Sequence, residues 1–247
     1  MLVFTGTIMS KTTLFRYADI KKEPINTPID SSETCLLRRF MRILDLIPVF
    51  NIMIPFWTKS NIQLDTVFLS LKNFKTLLEK IQVVEKQGKN YLSSSLININ
   101  EELAVVPLQH LKEMLVLFQK YNDLTKVELQ ETDLVLLIEY MAEFVRKSNY
   151  PDKIGRLNAV FFHENLEVAV MADKRVNGEF AGKFCRVEML KTENLERYDS
   201  RWLTDVRPSC IQSEFQTAVK NYWEGMMTQR PKIEYLFSGK YLLIDAM

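Results

Sequence analysis

Glu234 is a carboxylate set among residues that seek burial, in the run Ile233-Glu234-Tyr235-Leu236-Phe237. A charge in such a place is costly unless it is paired or put to use; the plainer alternative is an edge-strand glutamate facing water. His163 follows Phe161 and Phe162, so its imidazole either serves a site or rests satisfied in the core. His110 lies beside the apolar face of a helical run and reads as structural. Cys35, Cys185 and Cys210 are far apart, and only two histidines could join them, so neither a zinc centre nor a disulfide framework is expected. The chain has 7 glycines and none of their spacings makes a dinucleotide fingerprint or a Walker loop, which argues against a glycine-rich phosphate cradle. Arg38, Arg39 and Arg42 could meet phosphate, although a solvated helix face is the simpler reading.

Strands near both ends of the chain must position these groups. Leu2-Val3-Phe4 and the stretch Thr12 to Tyr17, which carries Arg16 and Tyr17, are β-prone. Lys21 to Ser32 holds Pro24 and Pro28 and reads as a loop. Leu36, Phe40, Ile43 and Leu44 predict a short amphipathic helix that stops before Pro48. The apolar stretch Leu46 to Trp57 is too short to span a bilayer and carries two prolines. It reads first as buried core and second as a partner-docking or membrane-surface patch.

Leu64 to Ile81, Leu108 to Phe118 and Leu134 to Val145 keep a helical rhythm, which predicts three helices in an insertion over residues 61–149. Beyond Tyr150 the period returns to two. Leu157 to Phe162 and Phe184 to Leu190 predict strands, and Asn165 is placed to cap a short helix over Leu166 to Asp173. Ser209-Cys210-Ile211-Gln212 has the form of a capping box for a helix that Gly225 ends. Ile233 to Phe237 and Tyr241 to Ile244 flank Ser238-Gly239 and predict a hairpin. The sum is an α+β fold, one domain over residues 1–247, interrupted by helices.

Apolar residues make up 47% and charged residues 26%, the balance of a globular protein, and a formal charge of +1 supplies no global field for nucleic acid. Three dispersed cysteines and the absence of a secretory pattern at the N-terminus point to a reducing, cytoplasmic setting.

Three motifs stand in order: Arg16 on an early strand, Gly155-Arg156-Leu157-Asn158-Ala159-Val160-Phe161 in the middle, and Ile233-Glu234-Tyr235 late. Their order over residues 12–20 and 150–247 resembles the ADP-ribosyltransferase fold, a split mixed or antiparallel sheet. The resemblance implies NAD as substrate, no metal, and a macromolecular acceptor, either protein or nucleic acid. It makes Glu234 the catalytic carboxylate, which would stabilise the positive charge that builds on the ribose as nicotinamide leaves. Arg16 would hold the dinucleotide, Arg156 would be a second anion contact, and Tyr17 or Phe161 would stack on nicotinamide. Asn158 and His163 would lie along the middle motif. On this reading Arg16 and Glu234 share one cleft, and the helical insertion shapes acceptor choice or holds a partner protein.

Lys232 stands where protein-modifying members of that fold often carry Glu or Gln, and Asn158-Ala159-Val160 stands near their Ser-x-Ser. Two alternatives accompany the reading: an NAD glycohydrolase, and a non-catalytic protein that binds a partner through its helices and the Leu46 to Trp57 patch.

Overall fold

Alternating burial builds the sheet, as a period of two demands. A computed structural model describes residues 13–39, 41–60, 63–72, 96–98, 105–107, 113, 129–130, 132–168, 182–206 and 210–246. Leu2-Val3-Phe4, the helical run Leu108 to Phe118 apart from residue 113, the run Leu64 to Ile81 beyond residue 72 and the run Leu166 to Asp173 beyond residue 168 lie outside these. Two compact units emerge: one comprises Met1–Arg39, Asp152–Arg201 and Gly225–Met247, the other Phe40–Pro151 and Trp202–Glu224.

The first unit is a five-stranded antiparallel sheet. Its strands are β1 (Leu14–Ala18) and β2 (Ile29–Asp30). The β3 (Leu96–Asn98) and β4 (Val105–Pro107) ladder is a separate two-stranded sheet in the second unit. Later come β5 (Val160–His163), β6 (Lys183–Asp199) and β7 (Ile233–Ala246). The order is β2-β7-β5-β1-β6, and β6 also pairs with β7, so that β7, β5, β1 and β6 close on one another. One face carries the apolar core of Leu14, Ala18, Val160, Phe162, Cys185, Tyr235, Phe237, Tyr241 and Leu243. Phe162 packs against Phe237 and Tyr241 with ring centroids 5.0 and 5.3 Å apart.

The predicted terminal hairpin is instead one continuous strand. Ser238-Gly239 lies inside β7, because β6 supplies a partner for its whole length: Leu195 pairs with Phe237, Thr192 with Gly239 and Met189 with Tyr241. Three register shifts in that ladder absorb the irregularity that a turn would have taken up. The predicted strand from Leu157 begins later, at Val160, since Arg156–Asn158 forms a single 3-10 turn. Within Lys21 to Ser32, Ile29–Asp30 pairs with Tyr241 and Lys240, and Asp30 caps a one-turn helix at Ser31–Thr34.

The second unit is helical. The helix expected to stop before Pro48 breaks earlier, into Leu36–Arg39 in the first unit and Arg42–Ser60 in the second, and the latter runs through both Pro48 and Pro55. Each proline deletes one backbone hydrogen bond. Burial outweighs that loss: Leu46, Phe50, Met53 and Trp57 recur at helical spacing and are all buried. Leu46 to Trp57 is thus core, and Trp57 meets Phe215 edge-on at 5.6 Å.

Helices Leu64–Lys72 and Asp133–Asn149 follow the predicted rhythm. Arg42 clamps the fully buried Asp133 through two 2.7 Å bonds, and Trp223 Nε1 donates to the Ala142 carbonyl at 3.1 Å. Ser209, the predicted cap of helix Gln212–Trp223, lies outside the described residues; the helix opens at Ile211, whose N–H donates to Glu214 at 3.2 Å. This helical unit is wider than residues 61–149, taking in Arg42–Ser60 and Gln212–Trp223. Among the described residues, no helix is long and apolar enough to cross a membrane.

Candidate functional site

Residues opposite one another in a ladder share a face. Glu234 on β7 stands opposite His163 on β5 and Tyr198 on β6, so the three form a row on the face that Val160 and Phe162 do not use. Gly155 and the 3-10 turn bring Arg156 onto that row, where its guanidinium pairs with the Glu234 carboxylate. The same guanidinium lies over the Phe161 ring, 4.8 Å from its centroid. Just upstream, the Ile154 N–H donates to Glu196, which also accepts from the Tyr198 hydroxyl. The segment leading into β5 is thereby tied to this face at two points.

Burial is nearly complete, with Glu234 3% and Arg156 4% exposed. Two charges survive there because each meets the other at hydrogen-bonding distance. His163 is buried too, and its Nδ1–H donates to the Ile233 carbonyl at 3.4 Å, which fixes the tautomer. Burial drives its pKa down to about 4, the Ile233 bond pushes the other way, and the charges of Arg16 and Arg156 lower it further. The imidazole is therefore neutral. Burial, helped by the Glu196 hydrogen bond and charge, raises the Tyr198 hydroxyl far above its ordinary range.

The neutral histidine sets a pH dependence. Unfolding returns His163 toward its ordinary value of 6.5, so below that pH the unfolded chain binds more protons and the fold loses stability. The contribution is complete above the unfolded value and disappears as pH falls toward the folded one. Wild type is expected to lose about 2 kcal/mol more than His163→Gln between about pH 7 and pH 5, read by urea unfolding. Parallel pH profiles for the two proteins would show that the imidazole is not held neutral.

Arg16 does not join this row. It stands opposite Cys185, a core residue, and so faces the other side of the sheet. There it holds Glu23 bidentately (2.6 and 3.0 Å), donates to the Thr34 carbonyl at 3.3 Å and lies 5.9 Å from the Tyr241 ring centroid. The Tyr241 hydroxyl also bonds Glu23, at 2.7 Å. The buried Arg16–Glu23–Tyr241 group ties β1, the following turn and β7 together. The expectation that Arg16 and Glu234 line one cleft is corrected accordingly: Arg156 is the cation at Glu234.

Of the remaining expected residues, Phe161 and His163 belong to the row. Tyr17 is half-buried against the Phe184 ring at 4.7 Å, and Asn158 is exposed at the end of the 3-10 turn. Tyr198 and Asp199 were not foreseen. Asp199-Ser200-Arg201 carries an Asx-turn signal, realised as an Arg201 N–H bond to Asp199 at 3.0 Å, that could have drawn attention to this strand end. The described residues contain no cluster of His, Cys, Asp and Glu arranged to hold a metal ion.

Fold and site together define an α+β protein whose late strand carries a buried carboxylate paired with a guanidinium, on the face opposite the apolar core. A family model described as "Protein of unknown function (DUF2441)" matches residues 64–247, and the chain belongs to that family. The match includes Arg156, Phe161, His163 and Glu234 and excludes Arg16. No curated protein matches the chain.

Proposed function

We propose that this protein is an ADP-ribosyltransferase-like enzyme that cleaves NAD and passes ADP-ribose to a protein or nucleic acid, with Glu234 as its catalytic carboxylate. One observation carries the reading: Glu234 enters the late strand buried, away from the apolar core, beside Arg156, Phe161 and the neutral His163. A phosphate of NAD can take the Arg156 fork bidentately, as a carboxylate does, and that exchange of partners would free Glu234. The released carboxylate would stabilise the charge that grows on the ribose as the bond to nicotinamide breaks, and the acceptor's nucleophilic atom then takes the sugar carbon. Arg16, on the other face with Glu23, serves the fold instead.

Purified protein with millimolar NAD is expected to release nicotinamide, and Glu234→Gln to abolish the release while remaining folded. Release unchanged in Glu234→Gln, or none from the folded wild type, overturns the reading. Release without label on any acceptor identifies a glycohydrolase.

A second reading is favoured by the closed state of the same pair. Arg156 and Glu234 neutralise each other in a buried setting, as a purely structural ion pair does. On that reading the chain is a non-catalytic interaction protein and NAD does not bind. The Leu46 to Trp57 stretch would not be its docking face, since its apolar side chains are buried apart from the half-buried Ile47, Pro48 and Ile54 and the exposed Pro55.

A further inference from the structure

Asp199, the last residue of β6, is fully buried and accepts four hydrogen bonds. Its Oδ1 takes the N–H of Arg201 (3.0 Å) and of Lys232 (2.8 Å). Its Oδ2 takes the N–H and the hydroxyl of Thr228, at 2.8 and 2.6 Å. Ser200 adds two more bonds, its N–H and hydroxyl both donating to the Lys232 carbonyl at 2.8 and 2.9 Å. Two adjacent residues thus grip the connection between the helix Gln212–Trp223 and β7 at Thr228 and at Lys232.

We infer that Asp199 is a positioning residue that fixes residues 225–232 and, through Lys232, sets where β7 begins and where Glu234 stands. The register makes the link short. Asp199 pairs with Ile233, and the next pair along the ladder is Tyr198 with Glu234. The connection opens at Gly225 with φ of 72° and carries the exposed Met226 and Met227. Burial alone would raise the Asp199 pKa, but the hydrogen bonds from Thr228, Lys232 and Arg201 outweigh it and hold the group below the usual carboxylate range. It is ionised at neutral pH, as four donors require.

A catalytic carboxylate must be held to within a fraction of an ångström, so loosening its strand end lowers turnover more than substrate binding. The functional half of the inference rests on the reading of Glu234 given above. In Asp199→Asn one lobe of the acceptor becomes a donor and faces N–H groups. Thr228→Val removes one bond only, and Thr228→Ser keeps it.

The nicotinamide-release kcat is expected to fall roughly tenfold or more in Asp199→Asn and a few-fold in Thr228→Val. The KM for NAD should stay within about twofold in both, and Thr228→Ser should behave as wild type. Amide exchange should accelerate over residues 226–236 in Asp199→Asn and remain unchanged in β1 and β5. A rise in KM at constant kcat, or unaltered exchange over residues 226–236, overturns the assignment. Should the wild type release no nicotinamide, the catalytic reading of Glu234 falls by itself. The exchange result then decides the role of Asp199: local acceleration upholds it and unchanged protection removes it.

Discussion

Arg156→Ala is expected to destabilise the protein by about 3–5 kcal/mol, the cost of leaving a buried carboxylate without its cation. Glu234 is 3% exposed and stands between His163 and Tyr198. The neutral imidazole cannot supply a compensating charge. The substitution also removes the guanidinium that covers the Phe161 ring, so packing is lost along with the ion pair. Glu234 would respond by taking up a proton, and the loss of stability should therefore shrink as pH is lowered.

Arg156→Lys should recover only part of the loss, since an ammonium lacks the planar fork that both bonds a carboxylate and stacks on a ring. The double variant Arg156→Met with Glu234→Leu removes both charges and keeps the volume, and should return to within about 1–2 kcal/mol of wild type. Urea unfolding followed by far-UV circular dichroism measures all three. A loss below about 1 kcal/mol in Arg156→Ala would mean that the pair is solvated in solution. The double variant also separates stability from function: a stable protein that releases no nicotinamide assigns the pair to the site.

Gly239→Ala is expected to cost roughly 3 kcal/mol or more. Gly239 has φ of 138°, a conformation that side chains resist, and a Cβ there would lie 2.0 Å from the Lys191 carbonyl oxygen. That obstacle is backbone, in the paired strand β6, and cannot swing aside. The nearest relief is to part β6 from β7, which would also disturb the 2.9 Å bond from the Gly239 N–H to Ser31 Oγ. Gly225→Ala is the natural control. It too has positive φ, 72°, but nothing lies within 4 Å of its added carbon, so only the backbone term of about 1 kcal/mol applies. Equal losses in the two variants would show that the Lys191 contact does not govern the cost.

The Gly239 strand also shows where local sequence stops being informative. Ser238-Gly239 between two apolar runs is as good a signal for a turn as for a kink within a strand. The choice fell to β6, which starts at Lys183, far from Gly239 in sequence, and whose length lets both halves of β7 pair with one strand. The prolines of Arg42–Ser60 tell the same story. Locally they end a helix, yet the buried stripe of Leu46, Phe50, Met53 and Trp57 holds the helix together across them.

Local patterning was enough for the α+β character, the helical rhythm of Leu64–Lys72 and Asp133–Asn149, and Glu234 as a carboxylate whose neighbours would draw it inside. These depend on periodicity and side-chain chemistry, which are written residue by residue. Which cation would meet Glu234 was decided only by the tertiary structure. Alternation shows that Arg16 and its neighbours point to opposite faces of β1, but which strands become neighbours, and in what register, depends on pairings between segments far apart in the chain. Those pairings turned Arg16 toward Glu23 and Tyr241, and brought Arg156 to the acid from a 3-10 turn that no apolar pattern announces.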